Sequence, residues 1–86
     1  MSINELYEPI NCDAYDNLEL ACQKQWTLVL VLKSGERLDA KASDILSRKN
    51  VEYLEITAAG ETRLLRLDHI AQFTHPELGT VDVTEE

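Results

Sequence analysis

The 86 residues carry a net charge of −8, with 44% hydrophobic and 28% charged residues, the balance of an ordinary soluble domain. A chain of this length buries only roughly 60 to 65% of its unfolded surface, which leaves room for one thin core and little room for an enclosed active site. No apolar run approaches the roughly 18 residues that a membrane span requires.

Charge is unevenly spread. The first 25 residues hold five acids against Lys24, and the last ten hold Glu77, Asp82, Glu85 and Glu86 with no base. Only the stretch from residue 26 to 50 has a basic excess. A field of this sign repels phosphate and attracts basic surfaces. The opening Met1-Ser2-Ile3-Asn4-Glu5 shows no basic region and no long apolar segment, so a cytosolic protein is expected.

Residues 1–11 read as an irregular lead-in arm. Pro9 biases Glu8 toward an extended form, and Tyr7 and Ile10 are expected to pin the arm to the body. Residues 12–25 read as a helix, with Asp13 as N-cap and Asp16 three residues on, resembling a capping box. At about 100° per residue, Ala14, Tyr15, Leu18, Ala21 and Cys22 share one face. Asp16, Glu19 and Gln23 share another, with Leu20 exposed beside them. Acids in a first turn also complement the helix dipole, which explains Asp13 and Asp16 without any partner; Glu19 and Leu20 are less well explained that way. The angle of Tyr15 suits the core. Cys12 and Cys22 lie about 15 Å apart along such a helix, too far for a disulfide, so both are expected as buried or partly buried free thiols.

The longest apolar run, Trp26-Thr27-Leu28-Val29-Leu30-Val31-Leu32, has the length of a strand. Apolar residues at successive positions predict a central strand covered on both faces. The Ser34-Gly35 turn makes Arg37 to Ala42 its hairpin partner. The alternation breaks at Ser43-Asp44, which predicts a bend or bulge, and Ile45 and Leu46 return to the core. Ser47-Arg48-Lys49-Asn50 reads as a basic loop. Val51 to Thr57 and Thr62 to Leu67 are the third and fourth strands, joined by the turn Ala58-Ala59-Gly60-Glu61. Ile70 and Phe73 fall in a segment read as irregular and ended by Pro76. Thr80 to Val83 is the fifth strand, valines inward, after which the tail is expected to fray.

Catalytic and cofactor patterns do not emerge. Gly35, Gly60 and Gly79 are single turn glycines, not a phosphate loop. His69, His75, Cys12 and Cys22 lack metal-ligand spacing. The aromatics do not interleave with a basic stripe, which argues against a platform for single-stranded RNA. From composition and pattern the expectation is a small acidic β-rich binding module, with no enzyme activity, cofactor or metal.

Four segments go further. YEPINCDAYDNLELACQ from Tyr7, KASDILSRKNVEYLEI from Lys41, AAGETRLLRLDHI from Ala58 and HPELGTV from His75 closely resemble the Rho-binding antiterminators, the Rof (YaeO) family. The sequence departs from the family's pattern at Ala14, where a second acid is expected beside Asp13. The resemblance implies a mainly β fold with one N-terminal α-helix: a small, strongly bent, five-stranded Sm-like barrel. On this reading residues 1–86 form a single domain, with the arm at 1–11, the helix at 12–25 and the barrel at 26–84. The resemblance also implies binding to the hexameric termination factor Rho at the RNA-loading surface of its N-terminal domain, and inhibition of Rho-dependent termination. The contact surface it implies is Tyr15, Asp16 and Glu19 on the helix with Arg48, Lys49 and Asn50 in the loop. The protein is expected to be a monomer when free and not to bind nucleic acid directly. The competing reading is an Sm-like RNA-binding module, which the acidic charge opposes.

Overall fold

The computed structural model describes residues 7–83. Helix α1 runs Cys12–Lys24, and its N-cap is Asn11 instead of Asp13: Asn11 Oδ1 accepts from the Ala14 N–H at 2.7 Å. Both residue types cap well, but only an amide also has donors. Asn11 Nδ2 uses them on the carbonyls of Asp82 and Val83, at 3.2 and 3.1 Å, which ties the helix start to the far end of the chain. Asp13 lies in the first turn, where its charge suits the dipole. The helix ends in a Schellman motif: Gln25, left-handed at φ 55°, donates to Cys22 O, and Trp26 donates to Ala21 O.

Six strands follow: β1 Thr27–Leu32, β2 Arg37–Arg48, β3 Val51–Ala58, β4 Glu61–Arg66, β5 Ile70–His75 and β6 Gly79–Asp82, with a 3-10 turn at Leu67–His69 before β5. They form one sheet in the order β4-β3-β2-β1-β5-β6, every pair antiparallel. The sequence predicts five strands and misses β5. Ile70 and Phe73 are both buried yet lie three residues apart, a spacing that breaks strand alternation. The register explains it. Leu32 pairs with Ile70 and Val31 with Gln72, so Ala71 is an extra residue in a bulge that returns both large side chains to the core.

The expected bulge in β2 is present: Ala42 pairs with Ile56 and Asp44 with Glu55, leaving Ser43 unpaired. The strand then continues through Ile45 and Leu46, both half-buried, and on through Ser47 and Arg48, so the basic loop shrinks to Lys49-Asn50. β1 is central, flanked by β2 and β5. Its Leu28, Leu30 and Leu32 are buried, whereas Val29 and Val31 are only half-buried, so the second face is less covered than the run predicts. Trp26 falls just outside β1, where its ring stacks on His75 with centroids 3.9 Å apart.

One apolar cluster joins Ala14, Leu18 and Ala21 of α1 to the leucines of β1, to Leu54 and Ile56 of β3, and to Phe73. The helix packs against β2. Tyr7 and Ile10 of the arm lie against this core, as predicted. The first six residues of the arm, and the tail at 84–86 that was expected to fray, lie outside the described residues.

Candidate functional site

Because Ala14, Leu18 and Ala21 are fully buried, α1 turns Asp16, Glu19 and Gln23 outward, and all three are exposed. Tyr15 and Cys22 sit half-buried at the border of the two faces, and Leu20 is half-buried instead of exposed. Tyr15 faces both the core and the surface. It packs against the core cluster, and it lines an open groove of ≈ 270 Å³ between α1 and the β2 bulge, with Glu19, Cys22, Asp44 and Ile45. Burial, then the charges of Glu52, Glu19 and Asp16, push the Tyr15 phenol above its ordinary pKa. It therefore remains a neutral O–H donor at physiological pH, surrounded by carboxylates.

The other predicted residues lie where β2 turns into β3. Lys49 and Asn50 have φ of 52° and 68°, the signature of a two-residue type I′ hairpin turn. This conformation suits asparagine and strains lysine. Arg48, Lys49 and Asn50 are all exposed, and neither base has an ion-pair partner among the described residues. The strand pleat separates them. Ser47 pairs with Glu52 and Arg48 with Val51, so the pleat directs Arg48 to the opposite face from Ser47 and Glu52. Asn50, with Ser47 and Glu52, lines a second groove of ≈ 400 Å³ closed by Tyr7 and Pro9 of the arm. The charge of Glu52 acts on both Tyr15 and Tyr7. Tyr15 and Glu19 thus line one groove and Asn50 another, with Glu52 acting on the tyrosines of both, while Asp16 stands exposed on α1 and the pleat turns Arg48 to the reverse side.

Sequence reasoning missed Glu52, and expected Tyr7 only as an anchor of the arm. The Tyr7 O–H donates to Glu52 Oε1 at 3.3 Å across 45 positions of chain, and the Arg66 guanidinium lies 5.8 Å from the Tyr7 ring centre. The Glu8 N–H donates to Asp68 Oδ2 at 3.1 Å across 60 positions. No local pattern encodes pairings at such separations. The thiols also need correction. Cys22 is half-buried as expected, but Cys12 is exposed, because it lies about 200° around the helix from the buried Ala14. Both are free. Among the described residues, no group of three His, Cys, Asp or Glu side chains is placed to hold a metal.

A bent antiparallel sheet, one helix packed on it and a shallow acidic face edged by tyrosine define a small module for binding another macromolecule. The comparisons with known proteins sharpen that class. A family model described as modulator of Rho-dependent transcription termination (ROF) matches residues 9–83. Protein rof of Escherichia coli (strain K12) and protein rof of Shigella flexneri are each 68% identical over 83 residues, covering 96% of this chain and 99% of theirs. The solved structure of YaeO bound to magnesium from Vibrio cholerae O395 matches with a TM-score of 0.73 at 27% identity, covering 81% of this chain and 97% of that one. The chain belongs to the family of modulators of Rho-dependent transcription termination.

Proposed function

We propose that this protein inhibits Rho-dependent termination by binding the Rho hexamer at the RNA-loading surface of its N-terminal domain, keeping RNA from the primary sites. The observation that carries the reading is the division of α1. Its apolar face is committed to the core, and Asp16 and Glu19 stand exposed beside Tyr15. A surface built to attract nucleic-acid phosphate attracts carboxylates held in this way. Tyr15 supplies a neutral donor and a ring at the edge of the contact. Asn50 extends the contact along the same face. Lys49 at the tip and Arg48 on the reverse face meet acidic or backbone acceptors at the rim.

On this reading the whole chain acts as one Sm-like domain in the cytoplasm, monomeric when free and without affinity for RNA of its own. The outer strands β4 and β6 carry Glu61, Arg63 and Asp82, charges that discourage edge pairing between copies.

The test is displacement of a pyrimidine-rich RNA from Rho. Asp16→Lys with Glu19→Lys is compared with Glu61→Lys and Glu77→Lys, an equal change of net charge at exposed positions off the helix. The helix variant is expected to lose about 2 to 5 kcal/mol of binding, and the control little. Equal behaviour of the two variants, whether both compete or both fail, would overturn the assignment to the helix. Thermal unfolding checks that both remain folded.

A further inference from the structure

We infer that the acidic face extends past the helix to a second contact point, the groove at Tyr7, Asn50 and Glu52, and that this groove receives an arginine side chain of the protein partner. The inference rests on the reading that α1 docks on a basic surface, and it names what lies beside that docking.

Three observations lead to it. First, Glu52 is positioned. Tyr7 donates to its Oε1, and Oε2 has no hydrogen-bond partner among the described residues. A half-buried carboxylate with one oxygen fixed and one available is a directed acceptor. Second, the groove holds further acceptors within the same ≈ 400 Å³: Ser47 has a hydroxyl and Asn50 an amide oxygen. A planar guanidinium has five N–H donors in a fixed fork, which matches several acceptors converging on one pocket better than an ammonium does. Third, the nearby bases do not fill it. The pleat sends Arg48 to the other face, and Arg66, though close to the Tyr7 ring, is engaged with Asp68. Tyr7 is then a positioning residue, acting on the partner through Glu52.

The experiment uses the full chain, Rho and a pyrimidine-rich RNA. Glu52→Gln keeps the shape and removes the charge. It should raise the concentration needed to displace RNA about tenfold, with a smaller loss at high salt. Tyr7→Phe removes only the hydroxyl and should move the same readout in the same direction by less. Asn50→Gly keeps the positive φ and removes the amide, so it carries the test if Glu52→Gln lowers Tm by more than a few degrees. If a folded Glu52→Gln, or Asn50→Gly in its place, competes as wild type while the double helix variant fails, the groove is not a contact and the helix reading stands. If the helix variant also competes as wild type, both fall. Loss of Tm in Tyr7→Phe with unchanged inhibition would show that Tyr7 only anchors the arm, and would overturn its positioning role.

Discussion

Arg66 donates two hydrogen bonds to the carboxylate of Asp68, from Nε to Oδ1 at 2.9 Å and from Nη2 to Oδ2 at 2.7 Å, and the Glu8 N–H adds a third. Asp68 is 8% exposed. Burial works against its ionisation, but the Arg66 guanidinium and the Glu8 N–H outweigh it and hold the carboxyl below its ordinary value. The pair therefore fastens the arm to the turn that precedes β5. Asp68→Asn should cost about 2 kcal/mol, because it leaves a largely buried guanidinium facing a neutral amide.

The same group predicts a pH dependence. With its folded pKa below the unfolded one, Asp68 contributes stability that is fully present above the ordinary value of 3.8 and is lost as pH falls through the lowered folded value. The gap in unfolding free energy between wild type and Asp68→Asn should be constant near neutrality and shrink below about pH 4. A gap that widens on acidification would contradict the geometry. Denaturant titrations at several pH values read it directly.

The thiols should differ in reactivity. Burial, then the charges of Asp44, Glu19 and Glu55, push the Cys22 thiol up to about 11, so about one molecule in a thousand is thiolate at pH 8. Cys12 is exposed in the first helical turn. Alkylation of the native protein at pH 8, followed by mass spectrometry, should label Cys12 first and Cys22 fully only after unfolding. A single disulfide-bonded species would refute both the helix and the free thiols.

Gln25 holds a left-handed backbone conformation that favours glycine. Its side chain is exposed, so nothing is lost by deleting it. Gln25→Gly should stabilise the fold by about 0.5 to 1 kcal/mol, an increase of roughly 3 to 6 °C in Tm. Gln25→Ala keeps the strain and should not. Equal Tm values for the two variants would argue against the Schellman motif.

Leu18 anchors α1 to the sheet and is fully buried. Leu18→Ala should cost about 3 kcal/mol, while Glu19→Ala, its exposed neighbour, should stay within about 0.5 kcal/mol. Chemical denaturation of the two variants checks the orientation of the helix on which the acidic face depends.

Local pattern determined much of this molecule. The 3.6-residue period of Ala14, Leu18 and Ala21 sets which face of α1 is buried, and so which acids are exposed. Single glycines mark three turns, and the broken alternation at Ser43 marks a bulge. These signals are legible because each depends on residues within a turn or two of one another. What only the tertiary structure decided depends on neighbours far apart in the chain. A bulge at Ala71 turned an irregular-looking segment into a strand, because pairing with β1 supplied the hydrogen bonds that its alternation did not announce. Asn11 displaced Asp13 as the cap because two carbonyls near residue 82 accept from its amide. Glu52 and Arg48 take opposite faces because the register of β2 on β3 pairs Glu52 with Ser47 and Arg48 with Val51, and a tyrosine 45 residues earlier folds back onto Glu52. Register is a property of two strands together, and neither strand carries it alone.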